Sequence, residues 1–300
     1  MKIFVTGTRG IPDIPGGVES HCQHLYPRVV QHGHTVMLCR RRGYVEDDLE
    51  HWQGVDLVDV YSPEKKSFEA IIHTFLAILQ ARKWGADVLH VHAVGPSLMI
   101  PFARLLGMKV VMTNHGPDYD RQKWGRAARA ILRLGEYLGG KAANEVIVIS
   151  QHIRGIVRRR CGRDSVLIPN GVEIPVPATE TGFIEEKGLE PGRYLLAVAR
   201  FVPEKGLHDL VDAYEKIDTP WKLLIAGDAD HEDDYSRTLK QRAAANPDIV
   251  LTGYLTGEPL HQVYSHAGLF VMPSYHEGLP IALLEAMSYA LPVLVSDIPA

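Results

Sequence analysis

The strongest constraint on this chain is a repeated unit: a short apolar run, a loop carrying Gly or His, then a longer amphipathic stretch. Residues 2–6, 35–39, 55–60, 87–92, 109–113, 145–149 and 166–168 read as strands, with helices expected at 18–31, 68–83 and 96–106. Residues 173–192 turn to Pro, Thr, Glu and Gly, a linker composition. The alternation then restarts, with strands at 194–199, 221–226, 249–252, 269–272 and 293–296 and helices at 207–217, 232–245 and 257–266. Strands alternating with helices imply a parallel sheet covered on both faces. A pattern that restarts predicts two of them. The expected class is therefore α/β, two Rossmann-like doubly wound domains facing across a cleft. Their bounds are 1–175 and 193–300, with the linker at 176–192. Length agrees, since 300 residues exceed what a single core usually serves.

The net charge of −4 hides an asymmetry. Residues 1–172 hold 23 Lys and Arg against 16 Asp and Glu, and residues 173–300 hold 9 against 20. Opposite signs in the two halves point to different partners for each. The three cysteines, Cys22, Cys39 and Cys161, lack CxxC spacing and fit a reducing cytoplasm. The opening Met1–Thr6 reads as a strand, not a signal peptide. No apolar run approaches the ~20 residues of a membrane span. Fifteen histidines occur without HExxH or a Cys/His cluster, so no metal site is expected.

Several positions carry candidate chemistry. Glu277 and Glu285 stand eight positions apart around Pro280, which suits the first turn of a helix. Glu285 lies among Ala282, Leu283, Leu284, Ala286 and Met287, so this helix is expected to be buried. A buried carboxylate needs partners. Either a core Arg or backbone N–H supplies them, or Glu285 holds hydroxyls of a ligand. Gly16 and Gly17 precede the first helix; they are either a tight turn or a backbone that admits an anion at a helix N-terminus. GxGxxG is absent there, which disfavours a dinucleotide oxidoreductase. His90 and His92 share one strand face and read as core or rim residues. His115 follows a strand's carboxyl end, where open α/β sheets bind ligands. The segment 121–134 carries Arg or Lys at 121, 123, 126, 129 and 133 beside Trp124, Ile131, Leu132 and Leu134. With Arg158–Arg160 it reads either as a solvated face or as a surface for anionic lipid.

Taken in order, Gly16-Gly17, His115-Gly116, Ser150, Asn170-Gly171, Arg200 with Glu204-Lys205-Gly206, Gly253-Tyr254 and Glu277…Glu285 resemble retaining glycosyltransferases of the two-Rossmann-domain (GT-B) type, in family 4. The match covers nearly the whole chain. The runs Thr6-Gly7-Thr8-Arg9-Gly10-Ile11-Pro12 and His115-Gly116-Pro117-Asp118-Tyr119-Asp120 further resemble a bacterial subgroup often described as rhamnosyltransferases.

The resemblance implies a nucleoside diphosphate sugar as donor, and a saccharide or lipid-linked acceptor in cell-surface polysaccharide synthesis. Arg200 and Lys205 would neutralise the leaving diphosphate, with Gly16 and Gly17 closing on it. Glu285 would take the ribose hydroxyls, Glu277 the donor sugar, and His115 would contact that sugar or its developing charge. Asn170, Gly253, Tyr254, Gly278 and Leu279 complete the implied donor set. Front-face attack is expected, with no cofactor and no obligatory metal, although Asp228-Ala229-Asp230 has the spacing of a metal-binding acidic pair. Localisation is expected to be cytoplasmic, peripheral on the inner membrane face, with no nucleic-acid partner. Two features depart from the pattern: Ala199 stands where Gly is common, and family members continue past Ala300, so a truncated second domain is expected. The alternatives are an epimerase or hydrolase of the same fold, or a non-catalytic nucleotide-sugar-binding fragment.

Overall fold

The computed structural model describes residues 1–45, 47–63, 69–120, 124–230 and 232–299. Phe68, Arg121, Lys123 and Ala300, on which parts of the reading above rest, lie outside them. The chain divides into two compact units, Met1–Asn170 and Gly171–Pro299.

In the first unit the elements run β1 (Lys2–Thr6), α1 (Gly17–Gln31), β2 (Thr35–Arg41), β3 (His51–Trp52), β4 (Val55–Val60), α2 (Glu69–Trp84), β5 (Val88–His92), α3 (Ile100–Leu105), β6 (Lys109–Asn114), α4 (Arg126–Ala142), β7 (Glu145–Val148), α5 (Gln151–Cys161) and β8 (Val166–Leu167). The sheet order is β3-β4-β2-β1-β5-β6-β7-β8. Every pairing is parallel except β3 with β4. Chain direction across the sheet reverses between β1 and β5, the place where open α/β sheets leave a crevice at their carboxyl ends. One side of the core is Val5, Cys22, Tyr26, Val36 and Leu38, which seats α1 against β1 and β2.

The second unit contains α6 (Gly182–Glu186), β9 (Tyr194–Val198), α7 (Leu207–Tyr214), β10 (Lys222–Ala226), α8 (Asp234–Ala245), β11 (Ile249–Gly253), α9 (Gly257–Ser265), β12 (Leu269–Met272), α10 (Ile281–Ser288) and β13 (Val293–Val295). Its parallel sheet is ordered β11-β10-β9-β12-β13, with the reversal between β9 and β12. Leu207, Leu210, Val211, Leu239 and Ala243 of α7 and α8 cover one face. Ile184, Val263, Tyr264 and Ala286 of α6, α9 and α10 cover the other. Both units are doubly wound.

Several local expectations change. The linker stretch carries α6, whose Ile184 is fully buried in the second core, while the Ala178 N–H donates to Ser265 at 2.8 Å. Composition hid it because the helix is one turn with a single anchor. The helix expected at 96–106 opens as a 3₁₀ turn, Pro96–Met99, before α3. α5 follows Ser150, whose Oγ caps it by accepting from Ile153, and ends at the left-handed Gly162. Pro280 is the N-cap of α10, one position before its first turn, and only Ala286 of that helix is buried. The expectation of a buried helix around Glu285 therefore fails. Apolar composition around the whole helix did not reveal that one side is open.

Candidate functional site

In the second unit the candidate side chains gather at the carboxyl end of the sheet. Arg200 leaves β9, and Pro203–Lys205 forms one 3₁₀ turn that ends at Gly206. The loop after β12 runs back over this turn: the Tyr275 N–H donates to the Glu204 carbonyl at 2.9 Å. Gly206 adopts φ +63, and a Cβ there would overlap the Pro273 carbonyl oxygen. Only glycine meets both demands. The result is a salt bridge across the reversal point of the sheet, Lys205 Nζ to Glu277 Oε1 at 2.5 Å. Gly278 and Leu279 continue the same loop towards α10.

One loop over, Arg200 Nη1 pairs with Asp230 at 2.8 Å. The Tyr254 hydroxyl donates to the Asp228 carbonyl at 2.8 Å and reaches Asp230 at 3.1 Å. Gly253 accepts from Gly227 N–H at 2.8 Å, which ties the β10 and β11 ends together. Asp228 itself pairs with Lys240 at 2.7 Å. The acidic pair of the sequence thus has its two carboxylates on two different cations. Glu285 accepts from the Tyr264 hydroxyl at 2.9 Å. Burial, with the Glu285 charge added, pushes that phenol well above its usual value, so it stays a neutral donor.

In the first unit the corresponding place is the end of β1, β5 and β6. The helix N-terminus at Gly16-Gly17 already faces a carboxylate. Buried Glu19 accepts from the Arg9 N–H at 3.0 Å and pairs with its guanidinium at 3.2 Å. Burial alone would raise the Glu19 carboxyl, but Arg9 outweighs it and holds it below its usual value. Gly16 has φ +147, and a Cβ would overlap Glu19 Oε2, so glycine is required by this ion pair as much as by any ligand.

His115 is part of a histidine cluster. Its Nε2 lies 2.9 Å from His92 Nδ1, and His92 Nε2 lies 2.5 Å from the Tyr26 hydroxyl. That hydroxyl is also 2.9 Å from His90 Nδ1, and His90 Nε2 is 2.8 Å from Thr113 Oγ1. His21 from α1 meets the His115 ring edge-on at 5.2 Å. Burial lowers His21 to about 4 and His90 to about 3, and holds His92 and His115 well below 6.5. All four are neutral at pH 7. A hydrogen bond with Asn170, the last residue of the unit, opposes the shift at His21.

The loop bearing His115 is fixed from behind. Asn114 Oδ1 accepts from Gly116 N–H at 2.9 Å, and its Nδ2 donates to buried Glu136 at 3.2 Å. Arg160 pairs with Glu136 at 3.0 Å, so this member of the basic run faces inward.

Sequence reading singled out His115 and took His90 and His92 as satisfied core or rim residues, which their burial and hydrogen bonds match, but missed His21 and Tyr26. They converge from three elements, and no spacing along the chain signals that. Among the described residues His21, His92 and His115 form the one group able to hold a metal ion, their nitrogens all within 4.8 Å. Tetrahedral zinc sets neighbouring nitrogens about 3.3 Å apart. The His92–His115 pair, at 2.9 Å, is closer and shares a proton. The cluster is built as a hydrogen-bonded chain.

Comparison with known proteins completes the picture. The chain is 28% identical to an uncharacterized glycosyltransferase, MJ1607, of Methanocaldococcus jannaschii, over 99% of this chain and 81% of that protein. It is 26% identical to the Escherichia coli UDP-Gal:alpha-D-GlcNAc-diphosphoundecaprenol alpha-1,3-galactosyltransferase, over 78% of this chain and 62% of that one. The chain therefore spans about four-fifths of the first relative's length and three-fifths of the second's. Among solved structures, Anabaena Alr3699/HepE in complex with UDP-glucose superposes with a TM-score of 0.78 at 18% identity, covering 99% of this chain and 80% of that one. That likeness shows the fold, GT-B with two Rossmann-like units. The model of "Glycosyl transferases group 1" matches residues 181–300, and that of "Glycosyltransferase Family 4" matches residues 15–174. The chain belongs to glycosyltransferase family 4.

Proposed function

We propose that this chain is a retaining glycosyltransferase that moves a hexosyl or deoxyhexosyl group, with rhamnosyl as the specific expectation, from a nucleoside diphosphate sugar to a saccharide or lipid-linked saccharide. The supporting observation is the Lys205–Glu277 bridge at the reversal point of the second sheet, with Arg200 one loop away. Departure of a diphosphate builds negative charge, which fixed cations stabilise. Lys205 has three N–H donors, and Glu277 engages one of them. The others serve phosphate oxygens without reorganisation. Glu277, committed to Lys205, suits contact with sugar hydroxyls better than nucleophilic attack. We assign the ribose to Glu285, oriented by Tyr264, and the donor sugar to His115. Gly16, Gly17, Asn170, Gly253, Tyr254, Gly278 and Leu279 shape the donor surroundings.

The acceptor oxygen attacks the anomeric carbon on the face the diphosphate leaves, and the departing phosphate oxygen takes its proton. A relative and a structure of the same fold fit this chemistry, since the first is named for UDP-galactose and a lipid diphosphate and the second was solved with UDP-glucose. The test is incubation with a panel of nucleoside diphosphate sugars and a lipid-linked acceptor, with NMR of the product anomer. Transfer with the donor's anomeric configuration, undiminished in EDTA, is expected. An inverted product or dependence on a divalent ion overturns the retaining, metal-independent reading. Free sugar or an epimer formed without acceptor favours the hydrolase or epimerase.

A further inference from the structure

The histidine chain behind His115 has a direction. Thr113, His90, Tyr26, His92 and His115 are five groups joined by four hydrogen bonds of 2.8, 2.9, 2.5 and 2.9 Å in that order. The imidazoles are neutral, so each of the five groups has one proton to give. Three arrangements satisfy all four contacts, but one has Tyr26 accepting from both His90 and His92 with its own hydroxyl proton stranded where Tyr26 is 1% exposed, which leaves two. In the first, the Thr113 hydroxyl donates to His90, His90 Nδ1–H to Tyr26, Tyr26 to His92 Nε2, and His92 Nδ1–H to His115 Nε2. His115 is then left with Nδ1–H as the free end. In the second every bond is reversed, and His115 keeps a bare Nδ1. The reversed chain would strand the Thr113 hydroxyl proton, because Thr113 is 2% exposed and its side chain makes no other hydrogen bond among the described residues. A buried donor without a partner is costly. The first arrangement wins.

We propose that Tyr26 and His90, anchored by Thr113, are positioning residues that fix His115 as a neutral Nδ1–H donor for an oxygen of the bound sugar. The sheet makes this possible. Parallel pairing of β5 with β6 sets His92 opposite Thr113, so the two strands present His90, His92 and Thr113 together. Tyr26 comes from α1 and closes the gap between the two imidazoles. The rings of His90 and His92 stack at 4.4 Å and those of His92 and His115 at 5.2 Å, which restricts rotation. The inference rests on the reading of His115 as a donor-sugar contact. Its core is a tautomer, which is measurable without any substrate.

The experiment is long-range ¹H–¹⁵N NMR of the histidine-labelled protein, with Tyr26→Phe and Thr113→Val beside the wild type. Tyr26→Phe keeps the ring and removes only the hydroxyl that links the two imidazoles. The wild type is expected to show His115 as Nδ1–H and His92 as Nδ1–H. In Tyr26→Phe both become tautomer mixtures, with thermal unfolding still cooperative. Thr113→Val moves the same signals the same way. With donor and acceptor, kcat of Tyr26→Phe falls about tenfold, the factor one ordinary neutral hydrogen bond represents, while the donor KM stays unchanged. His115 found as Nε2–H in the wild type, or a tautomer pattern unmoved in both variants, overturns the proposal. If the tautomers shift as expected but the wild type transfers no sugar, the functional reading fails and the positioning chain stands.

Discussion

Lys205 and Glu277 show how one contact constrains several outcomes. Removing the ammonium takes away the cation proposed for the leaving diphosphate and leaves a partly buried carboxylate without this partner. Lys205→Ala is expected to lower transfer by about 100- to 1000-fold, the usual loss for one preorganised electrostatic contact. Circular dichroism should show the fold retained, and near-normal kcat/KM would remove Lys205 from the site. Histidine burial makes a second prediction. His21, His73 and His90 have folded pKa values of about 4, 4 and 3, and His92 and His115 are also lowered. Unfolded histidine titrates near 6.5, so below that pH the unfolded state binds more protons and stability falls as pH falls. Each such group contributes a slope of up to about 1.4 kcal/mol per pH unit until its folded pKa is reached. All five lie in the first unit. Hydrogen-exchange protection there, corrected for the intrinsic pH dependence of amide exchange, should fall sharply between pH 7 and pH 5, and protection unchanged over that range would contradict the neutral cluster. At this scale the sequence was legible for position, where a motif followed its strand, as His115 follows β6 and Lys205 follows β9. It was opaque where partners came from distant elements, as with His21 and Tyr26 or Asp230 and Arg200.

Elements were read well when each had its own periodic core face. β1, β4 and β12 keep the bounds their apolar runs imply. The two-residue β3 and one-turn α6 were missed because elements so short carry no period. The turn before α7 is the most constrained of the connections. Gly206 combines a left-handed backbone with close approach to Pro273, and it also begins the helix that follows Lys205. Gly206→Ala forces a Cβ into that carbonyl and a strained φ, a combined cost of about 1–3 kcal/mol or more. Calorimetry should record the loss in Tm. Because relief must come from moving the turn or the Pro273 loop, the Lys205–Glu277 bridge opens as well, and donor KM should rise. A Tm loss with unchanged KM would mean that turn and bridge are independent.

For the whole molecule the charge asymmetry acquires a place. Arg160 and Glu136 neutralise each other inside the first unit, so Arg160 does not contribute to a lipid-facing surface. Helix α4 carries an exposed apolar stripe. Ile131, Leu134 and Tyr137 are 46%, 48% and 44% exposed and lie at three-residue steps along one face, with exposed Arg126 and Arg133 beside them. Gly135, Gly139 and buried Glu136 face the other way, against the unit. An apolar stripe edged by cations suits the boundary of an anionic bilayer, where each cation adds about 1 kcal/mol. Among the described residues no helix is long and apolar enough to cross a membrane, so any attachment through α4 is at the surface. The protein is expected to float with vesicles containing anionic lipid and not with neutral ones. Salt should weaken binding as screening shortens the reach of the charges. Leu134→Glu should abolish flotation, since it places a carboxylate at the centre of the stripe, while Arg133→Gln should only weaken it. Equal recovery with neutral and anionic vesicles would rule out a charge-selected surface. Loss with Arg133→Gln but not with Leu134→Glu would leave attraction without insertion.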